Sequence, residues 1–140
     1  MSEVNLLKSL PKPKRSINER SKKKSKKIIN ISRKYGKLYF DGPREYGYGG
    51  YFYDGRWKSV AKDIIKKYKL KKGQKVLDIG CGKGFLVKDL VDLGIDAYGL
   101  DISKYGIRNC PKDITGRLHL GSADNLNFLE NSFDLVISIN

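Results

Sequence analysis

Hydrophobic residues follow a helical spacing over residues 57–69 and then cluster in a short stretch over residues 75–79. In the first stretch, apolar side chains recur every three or four residues and lysines occupy the opposite face, which predicts an amphipathic helix. Its apolar positions are Trp57, Val60, Ala61, Ile64, Ile65 and Tyr68. In the second stretch, the run of Val76, Leu77 and Ile79 is typical of a parallel strand covered on both faces.

Helical and strand patterns then alternate to the end of the chain. A helix is predicted from Phe85 to about Leu93, with Gly94 at its end, and a shorter helix is predicted from a Ser103 cap to about Asn109. Strands are predicted over residues 97–100, 118–120 and 133–139. This order predicts an α/β domain over residues 57–140, with a Rossmann-like, doubly wound, mostly parallel sheet.

Charge separates a basic N-terminal region from a nearly neutral remainder. Residues 1–37 hold thirteen Lys or Arg and two acidic residues, a net charge of +11, whereas residues 38–140 carry +3. We interpret residues 1–34 as a basic, flexible arm, because like charges repel and the stretch has little apolar surface to bury. An anionic partner such as nucleic acid is one hypothesis for this arm. A solvated tail without a partner is the alternative.

Residues 35–56 interleave six tyrosines with six glycines. Glycine lets the backbone turn freely, and tyrosine offers a flat apolar face with a hydroxyl group. The segment is therefore either a connector that packs on the domain surface or a lid over a ligand site. In a lid, the hydroxyl groups of Tyr46, Tyr48 and Tyr51 are weak candidates for a catalytic role, and Arg56 is a candidate partner for a ligand carboxylate.

A glycine-rich loop follows the first predicted strand and opens the next helix, with the sequence Asp78-Ile79-Gly80-Cys81-Gly82-Lys83-Gly84-Phe85. Ligands of α/β sheets bind outside the carboxyl ends of the strands, where such a loop lies. The dinucleotide fingerprint G-x-G-x-x-G needs a glycine where the chain has Phe85, which disfavours a nicotinamide oxidoreductase. A carboxylate at Asp78 would also oppose a diphosphate, whereas it suits a cationic ligand.

The pattern Asp-x-Gly-x-Gly-x-Gly after a buried strand, with Asp101 closing the second strand, resembles the first motifs of class I S-adenosyl-L-methionine (SAM)-dependent methyltransferases. The resemblance extends over most of residues 57–140 and implies SAM as the cofactor. It implies that the loop wraps the methionine part of SAM with Asp78 near the ammonium group, that Asp101 binds the ribose hydroxyls and that Ile102 packs on the adenine. The loop residues concerned are Gly80, Cys81, Gly82 and Gly84.

The same resemblance extends to the third and fourth strands. The family places an acid for the adenine amino group after the third strand, and here the stretch is Gly121-Ser122-Ala123-Asp124, so that either Ser122 or Asp124 could serve beside Ala123. Asn140 stands where some members begin an Asn/Asp-Pro-Pro-aromatic motif. Because the family sheet usually continues for three more strands, we expect a sheet of order 3-2-1-4 that is truncated after the fourth strand, in a fragment of a longer protein.

The resemblance implies an enzyme that transfers a methyl group, and the Tyr/Gly segment favours a small-molecule or saccharide acceptor in an enclosed pocket. Two alternatives stay open at this point. One is an RNA or protein methyltransferase that uses the basic arm. The other is a non-catalytic, truncated binding module.

The remaining sequence features predict no metal site and a reducing compartment. Cys81 and Cys110 lack the spacing of a metal site, and with His119 as the single histidine we expect two free thiols. We interpret Cys81 as a small loop residue rather than a nucleophile, and we expect Lys83 to point away from a sulfonium. No apolar run approaches the ~20 residues of a membrane span, and no secretory signal is evident, so we expect a cytoplasmic protein.

Overall fold

The computed structural model describes residues 4–12 and 24–139 of the chain. Its helices are α1 (Lys26–Ser32), α2 (Lys37–Asp41), α3 (Lys58–Tyr68), α4 (Phe85–Asp92) and α5 (Lys104–Arg108), with a 3₁₀ turn at Lys112–Ile114. Its strands are β1 (Lys75–Ile79), β2 (Asp96–Asp101), β3 (Leu118–Leu120) and β4 (Leu135–Ser138). No helix within these described ranges has the length and apolar character needed to cross a bilayer.

The four strands form one sheet in the order β3-β2-β1-β4, and every neighbouring pair is parallel. In the register, Leu77 lies opposite Tyr98 on β2 and opposite Val136 on β4. The carboxyl ends of β1 and β2 therefore lie side by side at one edge of the sheet. The predicted α/β fold and the strand order are confirmed.

The core lies between one face of the sheet and helices α3 and α4. Val60, Ile64, Val87 and Leu90 are completely or almost completely buried there, against Val76 and Ala97 of the sheet. The helical period placed these side chains on one face, and their burial is the main source of stability for this layer.

Individual glycine and serine residues mark the ends of several helices, as the sequence predicted. Gly94 adopts a left-handed conformation with φ +88° just past the Leu93 cap of α4, and the Ser103 hydroxyl accepts a hydrogen bond from the Gly106 N–H at the start of α5. The predicted bounds of β1 and β3 agree with the structure, and β2 is longer than its predicted span by one residue at each end. Asp134 precedes β4 and anchors it, because its N–H donates to the Lys75 carbonyl and its carboxylate accepts from the Lys75 N–H.

Two N-terminal stretches pack onto this domain. Leu6 and Leu10 contact the core cluster, and Phe40 of α2 is buried with 2% of its surface exposed. Helix α1 begins after Ser25, whose hydroxyl accepts a hydrogen bond from the Ile28 N–H. These contacts bring residues from before the sheet to the edge where β1 and β2 end.

Candidate functional site

The glycine loop turns sharply between β1 and α4. Gly80, Gly82 and Gly84 have φ values of +80°, +59° and +76°, a region that side chains other than glycine rarely adopt. The N–H groups of Gly80 and Cys81 both donate to the Leu100 carbonyl of β2. The alternation of glycines in the sequence is thus a requirement of the backbone path, and the loop lies directly on the end of β2.

Asp101 at the end of β2 fixes this loop. One of its carboxylate oxygens accepts a hydrogen bond from the Gly82 N–H at 2.7 Å, and the other accepts from the Ser103 N–H at 2.7 Å. Each oxygen of a carboxylate can accept more than one hydrogen bond. The group therefore holds the loop and still has acceptor capacity toward a ligand diol.

Asp78 is a buried carboxyl group at the end of β1, with 5% of its surface exposed. Burial, and secondarily the negative charge of Asp101, raises the pKa of Asp78 to about 7. Both influences disfavour the charged form, so that a cationic group in this place would stabilise the carboxylate. The ammonium group of SAM has the required charge.

Two adjoining cavities open at the carboxyl ends of the strands. The larger has a volume of about 530 Å³ and the smaller about 300 Å³, and they share Gly80, Asp101 and Ile102. The larger one is lined mainly by rings and aliphatic side chains, namely Leu7, Leu10, Pro11, Tyr35, Tyr39, Phe40, Tyr48, Tyr51, Trp57, Ile102 and Ile139. The combined space is of the size that proteins use for cofactors and small ligands.

The Tyr/Gly segment supplies the aromatic wall of the larger cavity. Tyr48 and Tyr51 stack with ring centroids 4.3 Å apart, and Tyr51 also lies 4.7 Å from the ring of Phe85. Burial raises the pKa of both phenols, and it raises the pKa of Tyr39 to about 12. At neutral pH these hydroxyl groups are protonated, so they are suited to donating hydrogen bonds and poorly suited to act as general bases.

The structure brings most of the predicted cofactor residues together. Asp78, Gly80, Cys81 and Gly82 line a small pocket of about 50 Å³ beside Tyr51 and Trp57, and Ser122 and Ala123 line the 300 Å³ cavity. The carboxylate of Asp124 accepts a hydrogen bond from the Ser122 hydroxyl. Asn140 lies outside the described residues.

Other predicted residues serve the backbone or the surface. Gly84 lies against Leu118 and Ile114, whose methyl groups would be 2.8–2.9 Å from an added Cβ atom. Cys81 is buried with 8% of its surface exposed, and burial raises the pKa of its thiol well above the ordinary range. Of the tyrosine candidates, Tyr48 and Tyr51 line the cavity, and Tyr46 lies beside Glu45, which raises the pKa of its phenol. Arg56 reaches the cavity while paired with Asp54 at 2.6 Å.

Sequence patterns did not identify several residues of this site. Trp57 was predicted only as the start of an amphipathic helix, yet it lines the cavity and its Nε1–H donates to the Tyr51 hydroxyl at 3.3 Å. Lys83 was predicted only as a loop cation, yet it is buried with 7% of its surface exposed and its ammonium group donates to the Asp41 carboxylate. Lys83 and Asp41 are 42 positions apart, so no local pattern in the sequence could indicate that they form a pair.

Comparisons with known proteins agree with this geometry. A family model described as "Methyltransferase domain" matches residues 77–140. The chain is 29% identical over 131 residues to a 2-methyl-6-phytyl-1,4-hydroquinone methyltransferase from Synechocystis sp., covering 79% of this chain and 41% of the relative. It is 39% identical over 83 residues to a demethylmenaquinone methyltransferase from Paenarthrobacter aurescens, covering 56% of this chain and 30% of the relative.

A solved structure from Methanococcus maripaludis, assigned to the SAM-dependent methyltransferases, matches with a TM-score of 0.52 and 26% identity. The match covers 59% of this chain and 41% of that structure. The chain thus spans less than half the length of each of these three proteins.

The parallel 3-2-1-4 sheet, the glycine loop after β1 and the acid at the end of β2 define a Rossmann-like nucleoside-binding domain. The family match over residues 77–140 and the structural match support the class I SAM-dependent methyltransferase fold for this domain, with SAM as the cofactor of that fold.

Proposed function

We propose that this chain is the cofactor-binding portion of a methyltransferase that modifies a small, flat, apolar molecule such as a hydroquinone. The observation that carries the proposal is the junction of two unlike surfaces at the ends of β1 and β2. Asp78, a buried carboxyl group with no salt-bridge partner among residues 4–12 and 24–139, adjoins a cavity of about 530 Å³ walled by aromatic rings. The first surface suits the cationic cofactor, and the second suits an apolar acceptor.

The residues of the site would divide the work between holding and orienting. Asp78 would pair with the cofactor's ammonium group, and Asp101 would accept hydrogen bonds from its ribose while keeping the loop in place. When bound, SAM supplies an electrophilic methyl group on a sulfonium. Tyr48, Tyr51 and Trp57 would orient the acceptor and exclude water, and such positioning accounts for much of the catalysis in a displacement reaction.

The character of the cavity wall supports an apolar acceptor over a saccharide. Among the described residues, the charged ones on the wall are Arg56, which is paired with Asp54, and Asp101, whose remaining acceptor capacity would be used by the cofactor ribose. Hydroxyl-rich ligands need many polar partners in a buried site. Two of the relatives are named for a phytylated hydroquinone and for a demethylmenaquinone, which favours the same acceptor class.

Calorimetry with S-adenosylhomocysteine tests the cofactor half of the proposal. We expect the 140-residue chain to bind this product, and Asp101→Asn to weaken binding by about tenfold, because charge-assisted hydrogen bonds to the ribose would be lost. Lys62→Gln, a change on the exposed face of α3, serves as the control and should leave the affinity unchanged. Absence of binding by the unmodified chain would favour the non-catalytic alternative.

Methyl transfer from radiolabelled SAM tests the acceptor half. A panel of alkylated hydroquinones, neutral saccharides and short RNA is offered separately to the chain. Product with the hydroquinones alone is the expected result. Product with saccharides or RNA alone would overturn the proposed acceptor class, while leaving the methyltransferase assignment in place.

A further inference from the structure

Lys83 is a buried cation in the glycine loop, with 9% of its side chain exposed. Its ammonium group donates to both carboxylate oxygens of Asp41, each at 2.7 Å, and to the Tyr51 carbonyl at 2.6 Å. An ammonium group has three N–H donors, and here all three have acceptors. The rings of Phe40 and Tyr105 lie about 6 Å from the same nitrogen and enclose the pair.

Asp41 and Lys83 together hydrogen-bond both backbone groups of Tyr51. The Asp41 carboxylate accepts a hydrogen bond from the Tyr51 N–H at 3.1 Å and another from the Tyr105 hydroxyl at 2.8 Å. The backbone of Tyr51 is therefore held at its N–H by Asp41 and at its carbonyl by Lys83. Both hydrogen bonds depend on the Lys83–Asp41 ion pair, and Lys83 belongs to the glycine loop.

Tyr51 connects the glycine loop to the aromatic wall, because its backbone contacts Lys83 and its side chain contacts other rings of the wall. Its ring stacks on Tyr48, and its hydroxyl accepts the hydrogen bond from the Trp57 indole. Tyr51 and Trp57 both line the small pocket that contains Asp78. A shift of the Tyr51 backbone would consequently move two rings that line the pocket of the buried carboxyl group.

We infer that the Lys83–Asp41 pair is a positioning device that fixes the aromatic wall to the glycine loop through Tyr51. With the pair intact, the loop that contacts the cofactor and the rings that face the acceptor form one unit. Lys83 and Asp41 act through Tyr51 and are positioning residues rather than catalytic ones. The effect on ligand affinity rests on the proposed function, whereas the effect on ring geometry does not.

A neutral double variant tests the inference without burying an unpaired charge. Asp41→Asn with Lys83→Gln replaces the ion pair by two amides, which avoids the large cost of a single buried charge. Trp57 is the sole tryptophan of the chain, so its fluorescence reports on this wall alone. We expect acrylamide quenching of Trp57 to rise at least twofold and the S-adenosylhomocysteine Kd to rise at least fivefold, with the far-ultraviolet circular dichroism unchanged.

The matched control weakens an ion pair away from the Tyr51 contacts. Asp113→Asn breaks the 2.6 Å contact of the exposed Asp113 carboxylate with Lys88, which keeps its contact with Asp92, and both readouts should stay within experimental error. Lys83→Arg alone, with Asp41 unchanged, keeps the positive charge. In this variant Trp57 should keep most of the protection from quenching that it has in the unmodified chain. Unchanged quenching in the neutral double variant would overturn the inference, whether or not the chain binds the nucleoside. If the unmodified chain binds no S-adenosylhomocysteine, the proposed function fails and the quenching result still decides the role of the pair.

Discussion

At the scale of single residues, Asp78 sets the pH response of the site. Its pKa of about 7 in the free chain means that the carboxyl group is mostly protonated at pH 6 and mostly ionised at pH 8. A ligand ammonium group prefers the ionised form, so we expect affinity for S-adenosylhomocysteine to rise roughly tenfold from pH 6 to pH 8. Calorimetry across this range measures the change.

Raising the pH has the opposite effect on the folding stability of the free chain. Because the pKa of Asp78 is higher in the folded state than in an unfolded chain, protonation stabilises the fold, and this stabilisation is lost as the pH rises toward 7. Asp78→Asn should remove both pH dependences, and it should lower the affinity at pH 8 to about the level that the unmodified chain shows at pH 6. An unaltered pH profile in this variant would exclude Asp78 as the responsible group.

Cys81 provides a second prediction at the residue scale. Burial, with the negative charges of Asp78 and Asp101, raises the pKa of its thiol, whereas Cys110 is partly exposed. Since the thiolate is the reactive form, we expect iodoacetamide to label Cys110 at least tenfold faster than Cys81 in the folded chain. Mass spectrometry of the labelled peptides measures the ratio, and unfolding in urea should abolish the difference. Equal rates in the folded state would contradict the burial of Cys81.

At the scale of elements, helix α5 touches the glycine loop through Gly106. A Cβ atom added there would lie 2.9 Å from the Gly82 carbonyl oxygen and 3.2 Å from the Phe40 ring. Because backbone atoms cannot yield as a flexible side chain does, we expect Gly106→Ala to lower the free energy of unfolding by about 1–3 kcal/mol. Urea denaturation measures this loss. Gly36→Ala is the control, since Gly36 has a negative φ and no atom within 4 Å of an added Cβ, and its effect should be within about 0.5 kcal/mol.

The elements also mark the boundary of what the sequence could predict. The strands and helices α3 and α4 could be predicted from the spacing of hydrophobic residues and from glycine or serine at their ends, because these patterns are local in the sequence. Asp78, Asp101 and the loop followed from their position after predicted strands. The contacts of Lys83 with Asp41 and with the Tyr51 carbonyl could not be predicted, because they join residues 42 and 32 positions apart that no local pattern connects. The leucines near the N-terminus have no clear period either, so their contact with the cavity depended on tertiary structure.

At the scale of the whole molecule, the cavity is closed partly by residues that precede the sheet by more than sixty positions. Leu7, Leu10 and Pro11 line it, and Leu10 also contacts the core. We expect removal of residues 1–12 to increase acrylamide quenching of Trp57 and to lower the melting temperature by a few degrees, because apolar contacts are lost. A Lys8→Ala, Lys12→Ala chain keeps these leucines while losing two charges, and it should match the unmodified protein. Equal quenching in all three chains would show that the N-terminal stretch does not cover the cavity in solution.

The anchoring of β4 on Lys75 has a consequence for the order in which the chain assembles. Val76 pairs with Ala97 only 21 positions away, but with Leu135 59 positions away. Closing the longer loop costs about 1 kcal/mol more conformational entropy, and distant pairings generally form late. The unit of β1, α4 and β2 would therefore form first and already contain the complete glycine loop with Asp78 and Asp101. These parts of the cofactor site would exist before β4 joins the sheet. A ligand could then bind to the partly assembled sheet and stabilise it.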